Sequence, residues 1–84
     1  MKNIKVYVTK QDIKKGEPAE TYKCAVTLAL KKRLGIKDIR VEGSFCSING
    51  VYYALPKKVC YFVSRYDRLV DVKPFSFTFK YGKT

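Results

Sequence analysis

The period of apolar and polar residues changes several times along this chain, and each change marks an element. Residues 4–9 (IKVYVT) alternate, with Ile4, Val6 and Val8 on one face and Lys5, Tyr7 and Thr9 on the other. A period of two carried by β-branched residues predicts a half-buried strand. Residues 10–20 are polar and contain Gly16 and Pro18, which predicts a loop or a short turn of helix. From Thr21 to Leu34 the pattern is helical. Thr21 is the expected N-cap and Gly35 the expected stop, with Lys31, Lys32 and Arg33 in the last turn, where cations complement the helix dipole. The stretch from Cys24 to Leu30 is apolar nearly all round, so this helix should be largely buried with its basic end projecting.

Residues 38–42 (DIRVE) alternate again, and Gly43 is expected to mark a bulge. The sharpest local signal is Ile48-Asn49-Gly50-Val51. Asn-Gly between apolar runs is the preferred two-residue hairpin turn, because both central residues must take positive φ. That register pairs Ile48 with Val51, Cys46 with Tyr53 and Ser44 with Leu55. It puts Cys46, Ile48, Val51, Tyr53 and Leu55 on one face and Phe45, Ser47, Tyr52 and Ala54 on the other.

Leu55-Pro56 opens a second helix, with proline at the first helical position. Val59, Phe62, Val63, Tyr66 and Val70 form its apolar stripe, and Lys57, Lys58, Tyr61, Arg65 and Arg68 fall opposite. Lys73-Pro74 ends any helix. Residues 75–81 (FSFTFKY) then alternate strictly, with Phe75, Phe77, Phe79 and Tyr81 inward. The resulting order, β-α-β-β-α-β, predicts an α+β fold with two helices on one face of a four-stranded sheet, ferredoxin-like or related. Eighty-four residues make one domain, 1–84, with a thin core.

Charge adds a second theme. Eighteen Lys and Arg against seven Asp and Glu give a formal charge of +11. Self-repulsion of that size costs stability and points to nucleic acid, a nucleotide-like anion, an acidic protein partner or an anionic surface, with general solubility as the plain alternative. Cys24, Cys46 and Cys60 are odd in number, widely spaced and set among apolar residues, as buried free thiols are. With no disulfide framework and no secretory leader, the expected home is the cytoplasm. No apolar run reaches the ~20 residues of a membrane span, so no membrane partner is expected.

The candidate chemistry is that of binding. There is no histidine, which removes His-based acid–base and nucleophile pairs and His-ligated metals. Three dispersed cysteines do not close a zinc site, and the five glycines make no phosphate loop. Asp38 and Glu42 lie along one side of a strand, but a two-metal site draws on a denser acidic cluster. No catalytic residue, metal or cofactor is therefore assigned, and an enzyme is not expected.

Two basic sets remain: Lys31, Lys32, Arg33, Lys37 and Arg40 around the end of the first helix, and Lys57, Lys58, Arg65 and Arg68 on the second. Packed side by side, the helices would merge them into one phosphate-contacting surface, with Tyr61 or Tyr52 stacking. The plain reading is the charged outer side that any amphipathic helix needs, and it is favoured for Lys2, Lys14, Lys15 and Lys83. Tyr7, Phe45 and Tyr52 are expected to point away from the helices, where rings stack on bases in RNA-binding domains of this element order. They serve a dimer interface equally well.

Three segments carry a resemblance: Cys24-Ala25-Val26-Thr27-Leu28-Ala29-Leu30-Lys31-Lys32; Asn49-Gly50-Val51-Tyr52 leading to Leu55-Pro56; and Phe62-Val63 through Arg65-Tyr66-Asp67 to Val72-Lys73-Pro74-Phe75-Ser76-Phe77. Together they resemble small bacteriophage-encoded proteins of unknown function, although proline after Cys24 is missing here. The resemblance implies a phage accessory protein acting in the host cytoplasm, and assigns no site residue. Three readings follow: a binder of nucleic acid or a nucleotide signal, a counter-defence inhibitor of a host defence protein in the manner of anti-CRISPR proteins, and a structural or homo-oligomeric virion-associated protein.

Overall fold

The computed structural model describes residues 2–82; Lys83, read above as plain surface charge, lies outside them. The chain is α+β, but its strands form two antiparallel sheets and its helices number three among the described residues. Strand β1 (Lys2–Val8) pairs with β5 (Phe75–Tyr81), and β2 (Ile39–Glu42), β3 (Phe45–Ile48) and β4 (Val51–Ala54) form a meander. The expected four-stranded sheet is thus replaced by a ribbon of two strands and a sheet of three.

The reason lies in two turns and one edge. Gly43 is no bulge: with φ 66° it opens a tight Gly43-Ser44 turn that sets Glu42 opposite Phe45 and cuts the 38–48 stretch into two short strands. Positive φ at the first central position is the demand of a II′ turn, which glycine meets without strain. Asn49 (φ 51°) and Gly50 (φ 81°) form the second turn in the predicted register, with Ile48 opposite Val51 and Cys46 opposite Tyr53. The Leu55 N–H donates to the Ser44 carbonyl at 2.9 Å, completing that ladder. Strand β1 bonds to β5 alone, so the ribbon joins the meander through packing: Tyr53 meets Phe79 edge-on at 6.3 Å and Tyr81 at 5.2 Å.

The polar stretch after β1 forms a helix, α1 (Lys10–Lys15), because Thr9 and Asp12 make a reciprocal capping box. Asp12 Oδ2 accepts from the Thr9 backbone N–H at 2.9 Å, and Thr9 Oγ1 accepts from the Asp12 N–H at 3.2 Å.

The next helix, α2 (Ala25–Leu34), starts three residues later than expected, with Cys24 and not Thr21 as its N-cap. Thr21 is engaged elsewhere, since its carbonyl accepts from Val41 N–H at 3.0 Å and from Thr27 Oγ1 at 2.7 Å. Gly35 closes α2 in the left-handed region, as predicted. Ala25, Val26, Thr27, Ala29 and Leu30 are all buried, and α2 touches β1 on one side and β2 on the other. The nearly all-apolar helix is therefore the axis of the core.

Helix α3 (Lys57–Asp67) closes the remaining side with Val59, Phe62, Val63 and Tyr66. Pro56 is its N-cap, one position outside the expected place. The helix stops at Asp67, so Val70 leaves the stripe and is exposed. Gly16 marks where α1, α2 and α3 converge: a Cβ there would lie 2.6 Å from Tyr66 Oη and 2.7 Å from Ala25 N. Tyr66 Oη donates to the Ile13 carbonyl at 2.9 Å, and burial raises its pKa above the ordinary phenol value.

Candidate nucleic-acid interface

The two basic sets meet different fates. At the end of α2 every cation is employed. The Lys31 ammonium donates to the Tyr22 carbonyl at 3.1 Å, Lys32 pairs with the buried Asp12 at 3.2 Å, and Arg33 Nε donates to the Lys5 carbonyl at 3.1 Å. Lys37 stands alone in the link between α2 and β2, exposed. Arg40 belongs to the outer face of the meander. Its Nη2 donates to Tyr52 Oη at 3.0 Å, and Nε lies 3.5 Å from Glu42 Oε2. The hydrogen bond to Tyr52, the influence of the Tyr22 side chain and the Glu42 charge hold its pKa above the usual guanidinium value. Phe45 packs edge-on against Tyr52 with ring centroids 5.3 Å apart.

On α3 no cation pairs with a carboxylate among the described residues. The ion pairs among the described residues are Lys23–Glu17, Lys32–Asp12 and Arg40–Glu42, and none involves α3. Tyr61, 71% exposed, has Lys57 and Lys58 four and three positions before it and Arg65 four after it, all neighbours on a helix surface. Arg68 is the C-cap, just past the last turn, exposed and bonded only through its backbone.

Beside α3 runs an open groove of about 610 Å³, lined by Lys58, Phe62, Arg65, Asp71, Val72, Lys73, Pro74 and Phe75. The fold makes this groove because Leu69, at φ 61°, turns the chain back along the helix and Lys73-Pro74 keeps it out of helix and sheet until β5 begins. The Phe62 and Phe75 rings, 4.7 Å apart, give an apolar wall, and three cations stand around it against one carboxylate.

The expected merger of the two sets does not occur. Arg33 reaches the ribbon at Lys5 of β1, and Lys58 reaches it at Ser76 of β5, donating to that carbonyl at 2.7 Å. Lys5 opposes Thr78 and Ser76 opposes Tyr7. Both carbonyls belong to the same alternating set of pairs, so these two contacts fall on opposite outer edges of the ribbon. Tyr7, Phe45 and Tyr52 do face outward, but Tyr7 is on the ribbon and the other two are on the meander.

Sequence reading missed Lys73, Phe62 and Phe75 as groove residues. Lys73 registered only as part of a helix-breaking pair, and the two rings only as core. The usable signal was the pair Lys58 and Arg65, one face of a helix whose chain must return past it.

Among the described residues no three His, Cys, Asp or Glu side chains are grouped so as to hold a metal ion. Cys24 and Cys46 are buried and Cys60 is half-buried, all as free thiols. Burial pushes the Cys46 thiol up to about 11, which keeps it protonated and unreactive. No described helix is long and apolar enough to cross a membrane. No protein-family model matches this chain, and no curated protein or solved structure matches it either.

Proposed function

We propose that this protein binds nucleic acid through α3 and the groove beside it, as a non-enzymatic accessory protein of the phage type. One observation carries the reading: Lys57, Arg65 and Lys73, together with Lys58, which only the Ser76 carbonyl holds, lie around an exposed ring and an aromatic-walled groove, and none of them is in an ion pair among the described residues. Cations that are already satisfied give up their partners when a phosphate arrives. Cations without partners gain a charge-assisted bond and release counterions from the nucleic acid. Tyr61 and the Phe62–Phe75 wall suit the flat faces of bases, and the Arg and Lys heads suit phosphate oxygens without reading sequence. Arg40 and Tyr52, bonded to one another, are left out of this site.

The test is fluorescence anisotropy with labelled single-stranded DNA, duplex DNA and RNA at low and near-physiological salt. Wild-type protein should bind with an affinity that falls steeply as salt rises. The double variant Arg65→Glu and Arg68→Glu should lose more than about tenfold in affinity with an unchanged melting temperature, since both side chains are exposed. Unaltered binding by that variant overturns the site. Absence of binding to every nucleic acid overturns the function and leaves the cationic face to an acidic host protein, which a pull-down from host lysate would then seek.

A further inference from the structure

The groove beside α3 continues past Phe75. Pro74 and Phe75 also border a second open hollow of about 450 Å³, lined further by Tyr7, Val8, Thr9, Lys10 and Ser76. The two hollows therefore meet over the start of β5. Ser76 holds the Lys58 ammonium on its carbonyl and faces Tyr7 across the ribbon. Two residues along β1, the Lys5 ammonium lies 5.5 Å from the centre of the Tyr7 ring, which is 59% exposed. Cations and rings thus follow one another along a continuous line: Arg65 and Lys58 on α3, Phe75 at the junction, then Tyr7 and Lys5 on β1.

We infer that this line is the path of a single-stranded nucleic acid, with Tyr7 as a base-stacking platform and Lys5 and Lys10 as phosphate contacts. The inference deepens the nucleic-acid reading above and rests on it. Length argues against a lone nucleotide as the ligand. Arg65 to Lys58 already spans seven residues of helix, about 10 Å, before the line crosses the ribbon to Lys5.

Ring exposure argues against a duplex. An open aromatic face can take an unpaired base, whereas paired bases are stacked on one another and present only their edges. Charge fits as well. The outward positions of the ribbon are Asn3, Lys5, Tyr7, Ser76, Thr78 and Lys80, a set with two cations, several hydroxyls and no carboxylate. An acidic protein partner would answer those cations too, but it has no need of the ring.

The experiment is anisotropy with a labelled oligothymidylate of about ten nucleotides, within the usual span of single-strand sites, alongside thymidine monophosphate and a hairpin duplex. Tyr7→Val keeps strand propensity and removes the ring; it should weaken the single strand about tenfold and leave duplex affinity unchanged. Tyr7→Phe should bind like wild type. Lys5→Glu should lower the salt slope as well as the affinity. Circular dichroism melts confirm that each variant is folded.

If Tyr7→Val and Lys5→Glu bind normally while the Arg65, Arg68 double variant fails, the groove stands and the path is refuted. If all of these variants bind normally, both readings fall. If Tyr7→Phe loses as much as Tyr7→Val, the hydroxyl is what matters and the platform is refuted.

Discussion

Helices α2 and α3 each end in or carry a basic cluster, yet one cluster is part of the scaffold and the other stands open. Helix α2 is buried along nearly its whole length, so its cations emerge among the groups its packing has brought together: the Tyr22 and Lys5 carbonyls and the Asp12 carboxylate. They neutralise what the core leaves over. Helix α3 is amphipathic, and its charged side faces a groove whose only carboxylate, Asp71, pairs with none of them. The difference teaches that a cation count locates no site. Lys32 already has its counter-charge in Asp12, whereas no cation of α3 has one among the described residues.

That contrast breaks most directly at Leu30, which is fully buried in α2. Leu30→Ala should cost about 3 kcal/mol in urea unfolding, the usual toll of a core cavity. Tyr61→Ala on α3 should cost less than about 0.5 kcal/mol. Equal costs would mean that α3's outer face is structural too.

A second test uses pH. Because burial holds the Cys46 thiol up to about 11 against an ordinary 9.0, the unfolded chain gives up this proton first. Stability from this group is intact below pH 9 and declines as pH rises towards 11, by roughly 2–3 kcal/mol at most. Wild type measured against Cys46→Ala should show that gap closing across the window, and a gap independent of pH would mean that water reaches the thiol.

The smallest effect concerns the counter-charge itself. Asp12→Ala removes half of the capping box and the partner of Lys32, and should cost about 1 kcal/mol by thermal or denaturant unfolding. It should leave nucleic-acid affinity unchanged or slightly raised. A clear loss of affinity would place the end of α2 inside the binding site after all.

Local chemistry was legible in the sequence wherever a few adjacent residues decide it. The Asn49-Gly50 turn fixed the β3–β4 register, Gly35 stopped α2, and strict alternation defined β5. Decisions taken between distant segments were not legible. Whether Thr21 caps α2 depends on Val41, twenty residues away, claiming its carbonyl. The split into two sheets has the same origin, because no pattern within β1 says which neighbours it will find.

At the site, the outward face of α3 could be read from its spacing. The groove could not, since Lys73 and Phe75 reach Arg65 only through the turn at Leu69. Arg40 and Tyr52 were attractive as separate letters and proved to be bonded to each other.

The positions of Arg33 and Lys58 at the two margins of the β1–β5 ribbon carry a consequence for how this chain behaves in company. A two-stranded ribbon offers unpaired backbone groups on either side, and each side is a template on which another chain can grow a further strand. A cation held at each margin fills one acceptor and brings like charges together whenever two ribbons approach side on. The restraint is colloidal. It acts through concentration, and it gives the large positive charge of a small protein a use in keeping separate molecules apart.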